Sequence, residues 1–169
     1  MPQSGRGVPR YLLLFAVWLG GLAALFVWTR PVWVHLFMVP MTAAAELVLR
    51  GLGLQAQLGA PDVVQGICIL TVAGIAYIVT FECTGLFALL MCLAAVLAFP
   101  ARWGMRGRGI LMVVPAFFVY ASLRIVVLGL VAHFTPQHIE LFHLYVMVVA
   151  NLGFVLALWL SWLQTYAHR

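Results

Sequence analysis

Residues 11 to 29, YLLLFAVWLGGLAALFVWT, carry no charge and have aromatic rings at both ends. As an α-helix this run covers about 28 Å, close to the ~30 Å hydrocarbon thickness of a bilayer. Arg6 and Arg10 precede it, and the positive-inside tendency puts them in the cytoplasm. Basic residues followed by an apolar run also describe a signal peptide. This run is long and no small-residue A-x-A site follows it, so it reads as a retained first span. Backbone inside a bilayer must satisfy its own hydrogen bonds, which leaves such a chain helices or a closed barrel.

The remaining residues agree with a helical reading. Hydrophobic residues make up 66% of the chain and charged ones 8%, against roughly 25% charged in soluble domains. That balance excludes an ordinary soluble domain. The expected fold class is an α-helical integral membrane protein, one membrane-embedded domain over residues 1–169. It has about four to six transmembrane helices, an amphipathic helix and a small β element on the outer face. All nine basic residues are Arg, and the acids are Glu46, Asp62, Glu82 and Glu140. The net charge of +5 is scattered over span ends rather than gathered in a patch, so the partner it implies is the lipid bilayer and not nucleic acid.

Residues 31 to 50, PVWVHLFMVPMTAAAELVLR, place His35, Thr42, Glu46 and Arg50 at offsets that gather on one helical face. They predict an amphipathic helix, either lying at the interface or packed with its polar stripe inward, and bent or divided at Pro40. Residues 51 to 82 read as an outer loop and β-like segment. Within it, ICILTVAGIAYIVTF (67 to 81) has the Ile, Val, Thr and aromatic content of strands, with Gly74 as a turn, although its length also permits a span. Residues 84 to 162 form the last helices. One runs from 84 to 99 and stops at Pro100; a short loop holds Arg102, Arg106 and Arg108; a span follows from 110 to 132. Thr135 and Pro136 then give the N-cap and first position of the final helix.

The Arg-rich loop belongs in the cytoplasm and sets the depth of everything after it. Cys83 then falls at the outer interface, where the 84 to 99 helix begins. Arg124 lies about 21 Å along its span from Ile110, in the outer third, and His143 lies near the outer end of the last helix. Both termini are cytoplasmic. This placement of Cys83 holds if residues 31 to 50 and 63 to 81 both span or if neither does. Three chemically distinct side chains thus meet at one depth on one side.

Each has an ordinary alternative. An intramembrane Arg costs about 2.5 to 3.5 kcal/mol on insertion scales and faces a bundle interior or a wet cavity, unless it snorkels to the headgroups. Cysteine is a common small apolar residue in membranes, and Cys68 and Cys92 are assigned to that class. Cys83 differs because it stands beside a helix start with Thr84 and Gly85, where a thiolate nucleophile is favoured. His143 would serve as general base and then general acid, or be an interfacial histidine like His35, His133, His138 and His168. Glu82 and Glu140 are candidates to orient it; Glu82 alternatively pairs with an Arg, and Glu140 alternatively complements its helix dipole. Arg124 would stabilise a developing oxyanion or hold a substrate carboxylate. The cysteine spacings suggest neither a disulfide framework nor a metal site, and no cofactor is implied.

The stretches ECTGLFALL, AFPARW, ASLRIVVL and FHLYVMVV, in order from residue 82 onward, resemble the exosortase/archaeosortase family. The likeness covers residues 79 to about 162 and is closest to the short exosortase subfamilies; before that, only the general layout is similar. It implies a membrane cysteine protease/transpeptidase with Cys83 as nucleophile, Arg124 as essential arginine and His143 as acid/base residue. The implied partners are membrane-anchored substrate proteins bearing a C-terminal sorting signal: a short motif, a transmembrane helix and a basic tail. The new C-terminus would pass to a surface acceptor on the outer or periplasmic side of the inner membrane. Many relatives carry Asn three residues before the arginine, where this chain has Ala121, so Ser122 or Tyr120 would have to supply that hydrogen bond. Two competing readings stay open: a non-enzymatic membrane scaffold in which Arg124 pairs with Glu46, and a small transporter with Arg124 lining an anion path. A membrane-impermeant maleimide applied to cells is expected to label Cys83 from outside. Labelling of Cys83 from the cytoplasmic side alone would overturn the topology.

Overall fold

A computed structural model describes residues 4–167, with side chains from Val8 to Thr165. The expectations for His168, Arg169 and the Arg6 side chain lie outside the described residues. Helix α1 (Ser4–Trp28) contains the uncharged run, and its Leu12, Leu13, Val17 and Val27 are exposed. In so apolar a chain that exposure is a lipid-facing surface. Helix α1 packs antiparallel to α5 (Leu86–Ala98): Tyr11 meets Phe99 at one end and Phe26 meets Phe87 at the other. Among the described residues, four helices are long and apolar enough to cross a membrane: Val8–Trp28, Arg30–Gly51, Trp103–Phe134 and Pro136–Thr165.

Residues 30 to 51 form one rod, made of α2 (Arg30–Trp33), a π turn (Val34–Met38) and α3 (Val39–Gly51). Pro40 has no N–H to donate to Leu36, and the ladder widens just before it rather than breaking. The extra residue in that turn shifts His35 out of register with the polar residues after it. The expected polar stripe therefore does not face inward. Val34, Phe37, Met38, Met41, Ala45 and Leu49 make the buried face, and of the four polar residues only Thr42 is buried, donating to Met38 O at 2.8 Å. Glu46 pairs with Arg50 at 3.5 Å, not with Arg124.

Residues 67 to 81 resolve into strands and not a span. Strands β1 (Ala56–Leu58), β2 (Ile67–Val72) and β3 (Ile75–Thr80) form an antiparallel sheet in that order. Ala73 and Gly74 join β2 to β3 with both φ angles positive, 50° and 84°, as a two-residue type I′ turn requires.

Helix α6 (Trp103–Phe134) begins earlier than the sequence suggests. Arg106 and Arg108 lie in its first turns rather than in a loop, because glycine is tolerated in a helix that packing supports. Its 32 residues extend about 48 Å, well beyond a bilayer core of ~30 Å. Contacts along it define three levels: Gly109 against Trp162 and Val96, Arg124 beside Gly85, and Gly129 against Leu49 and Val72. The rod of residues 30–51 and the sheet thus share the end remote from Arg102, Arg106 and Arg108. An open sheet edge is not stable in hydrocarbon, so the sheet itself is not a spanning element. Beyond α6, Pro136–His138 make a 3₁₀ turn that leads into the final helix. Thr135 does not cap it; its hydroxyl donates back to Val131 O at 3.2 Å.

A Cβ at Gly109 would lie 2.6 Å from Trp162 Nε1 and 2.8 Å from Val96 Cγ1. Gly109→Leu is expected to destabilise the bundle by about 1–3 kcal/mol, read as a lowered melting temperature in detergent. The same change at Gly107, where a Cβ meets nothing within 4 Å, should be nearly silent.

Candidate active site

The site is assembled at the junction of sheet and bundle. Strand β3 ends at Thr80 in extended conformation, and the chain turns at once into α4 (Phe81–Thr84), a single helical turn. Gly85 ends that turn with φ 71° and opens α5, so one left-handed residue divides α4 from the long helix. Cys83 consequently sits on its own turn and not on the first turn of α5. Thr80 Oγ1 donates to Cys83 Sγ at 3.5 Å.

His143 comes from the last helix, inside a second π turn (Phe142–Val146) that follows α7 (Ile139–Leu141) and precedes α8 (Met147–Ala167). Its Nε2 lies 3.9 Å from Cys83 Sγ, across sixty residues of sequence. The pair lines a cleft of about 170 Å³. Its walls are Tyr77, Ile78 and Val79 of β3 on one side and Ile125, Leu128 and Ile139 on the other. Cys83 is half-buried, whereas Cys68 and Cys92 are buried. Burial pushes the Cys68 thiol above its usual range, with only partial opposition from the Thr42 hydroxyl, so Cys68 stays neutral and inert.

Arg124 is 7% exposed, which rules out snorkelling. It does not line the cleft. It approaches α4 from behind: a Cβ on Gly85 would sit 3.7 Å from Arg124 Nη1 and 3.4 Å from Asn151 Oδ1. Arg124 Nε, Asn151 Oδ1 and the Tyr120 hydroxyl are all buried without a hydrogen-bond partner. Direct contact between Arg124 and a substrate carboxylate finds no support in this geometry.

The supporting residues sort differently from the sequence expectation. The Thr84 hydroxyl donates to Phe81 O at 2.7 Å, and Ser122 donates to Phe118 O at 2.9 Å, so both are committed to their own helices. Glu140 is exposed, and no hydrogen bond or ion pair joins it to another described residue. Glu82 points away from Cys83 into a separate cavity of about 490 Å³ shared with Arg30 and Gln65. Arg30 donates to Gln65 O there at 2.8 Å and lies over the Phe81 ring.

Asn151 is the residue the sequence reading missed. It is an uncharged amide inside VVANLGF, and nothing in its spacing marks it. It stands where an amide beside the arginine is otherwise lacking, since position 121 is Ala. Asn151 lies eight residues after His143, which in a regular helix would offset the two by about 80°. The π turn removes most of that offset, and both side chains reach the α4–Gly85 corner.

No group of three or more His, Cys, Asp or Glu residues suited to a metal occurs among the described residues. No family model, curated protein or solved structure matches this chain. Deleting Leu144 closes the π turn to α and rotates His143 by about 100°. In a background with Cys68 and Cys92 changed to Ala, this deletion should slow iodoacetamide alkylation of Cys83 to the rate of the His143→Ala variant. An unchanged rate would separate His143 from the thiol.

Proposed function

We propose that this chain is a membrane-embedded cysteine protease/transpeptidase acting on a peptide bond presented at the outer or periplasmic face of the inner membrane. The observation that carries this reading is the 3.9 Å approach of Cys83 Sγ and His143 Nε2 at the lip of an open cleft. Catalytic hydrogen bonds in unliganded sites are commonly longer than in the working complex.

The chemistry follows from the two groups. His143 Nε2 takes the Cys83 proton, and the thiolate attacks the acyl carbon, forming an S–C bond and an oxyanion. Collapse of that intermediate breaks the C–N bond, and His143 returns the proton to the leaving amine. An acceptor amine, alcohol or water then attacks the thioester carbon and gives its proton to His143; the S–C bond breaks, and that proton returns to the Cys83 sulfur. Arg124 is assigned the stabilisation of the oxyanion, from behind the turn. The substrates consistent with the motif resemblance are exported proteins carrying a C-terminal sorting signal whose own transmembrane helix brings the scissile motif to this depth. Both chain termini then face the cytoplasm.

The scaffold reading loses its specific support, since Glu46 is paired with Arg50 rather than Arg124. Co-expression with a candidate sorting-signal protein tests the choice. Cys83→Ala is expected to abolish processing, and His143→Ala to reduce it by about 10²-fold or more, with both variants still inserted. Full processing by Cys83→Ala would end the enzymatic reading.

A further inference from the structure

We infer that the free edge of β3 is a docking strand for the substrate, which binds as an extended peptide added to the sheet and running into the Cys83–His143 cleft. The inference rests on the proposed thiol chemistry for what happens at the end of the strand, but the docking surface stands on its own geometry.

The sheet order β1-β2-β3 leaves β3 with a neighbour on one side only. In a two-residue hairpin the pair flanking the turn, here Val72 and Ile75, exchanges both hydrogen bonds. Alternation then makes Leu70/Tyr77 and Cys68/Val79 the other bonded pairs. The N–H and C=O groups of Ala76, Ile78 and Thr80 therefore point away from β2, toward the unpaired edge.

Proteins blunt such edges with charge, Pro or a bulge, because an open ladder templates another strand. The segment IAYIVT has none of these guards, and Ala76 and Ile78 are exposed. An edge left open in this way is suited to a partner that brings matching main-chain groups, and an extended polypeptide has them at the right spacing. The position of the edge selects the same partner. Tyr77, Ile78 and Val79 form one wall of the cleft, Ile139 and His143 stand opposite, and Cys83 follows Thr80 by three residues. A peptide laid along Ala76, Ile78 and Thr80 is delivered to the thiol. Alternate side chains of that peptide would fall into the cleft, which is apolar apart from Tyr77, Cys83 and His143, so small apolar residues fit it best.

The test uses the full chain in detergent with Cys68 and Cys92 changed to Ala, and two reagents. The probe is acetyl-Val-Ala-Val-Ala chloromethyl ketone, which alkylates Cys83 with loss of chloride. Iodoacetamide reports the thiol without a peptide. The ratio of the two rates, each scaled to free cysteine, measures docking. The peptide reagent should gain about tenfold over iodoacetamide from its main-chain hydrogen bonds. Ile78→Pro removes one outward N–H and leaves the β2–β3 ladder intact, so it should cut the gain severalfold. Because a proline variant can misfold, N-methylated probes give a second reading. Methylation at alternate peptide nitrogens should abolish the gain and methylation at the intervening ones should not. A ratio insensitive to Ile78→Pro and to N-methylation overturns the proposal. So does concentration-dependent protection of the Ala76, Ile78 and Thr80 amides from exchange without peptide, which would show the edge pairing with a second copy. If instead His143→Ala leaves both alkylation rates unchanged, the catalytic reading fails while the ratio still decides the docking strand.

Discussion

A guanidinium buried in an apolar bundle is the constraint around which the other parts of this structure are arranged. Leaving Arg124 uncompensated costs several kcal/mol, since a buried charge without a partner is among the most destabilising features a protein can hold. No hydrogen bond or ion pair joins it to another described residue, and its Nε is one of three orphaned polar atoms in one neighbourhood, with Tyr120 and Asn151. Gly85 beside it adopts a left-handed φ that side chains rarely tolerate, with Arg124 and Asn151 at ordinary contact distance from where its Cβ would lie. The same residue separates the Cys83 turn from α5. Geometry of the corner and presentation of the thiol are therefore set together by the backbone at residue 85.

From that corner outward, the molecule divides by what its backbone needs. Helices α1, α5, the first two thirds of α6 and α8 satisfy their own hydrogen bonds and can face lipid. A three-stranded sheet cannot, and it lies with the rod of residues 30–51 beyond the level of Gly85. The catalytic candidates sit where these two regimes meet. Low dielectric there makes an unpaired charge costly, while the cleft beside it is lined by the polar side chains of Cys83 and His143. Adjacent residues in α4 face opposite ways across this boundary: Glu82 toward the Arg30 cavity and Cys83 toward His143.

Much of this was legible in the sequence because it depends on contrasts in polarity. Uncharged runs marked the helices, and β-branched content marked residues 67 to 81 as strands. Cys83, Arg124 and His143 stood out as polar groups in apolar surroundings, and depth counting brought them to one level. Features that depend on backbone geometry were not legible. No residue pattern announces a π turn, so the face shared by His143 and Asn151 and the lost stripe of residues 31 to 50 were both invisible. The glycines of ARWGMRGRG imitated a loop although packing carries α6 through them. Thr84, Ser122 and Glu140 looked useful because of their type, yet two are bonded to their own helix backbone and the third has no partner among the described residues.

The two π turns show why periodicity alone misplaces function in a helical membrane protein. In each, one extra residue rotates everything on one side of the turn relative to the other. In the rod of residues 30–51 this lets an apolar face stay continuous against the sheet while His35 is turned out to the surface. In the last helix it does the opposite, turning a histidine inward to a thiol while the rest of the helix keeps its outer face to lipid. In a regular helix Asn151 and His143 would be offset by about 80° around the axis. A π turn that costs some backbone hydrogen bonding is tolerated here because the helix must serve two contacts that α periodicity would hold apart.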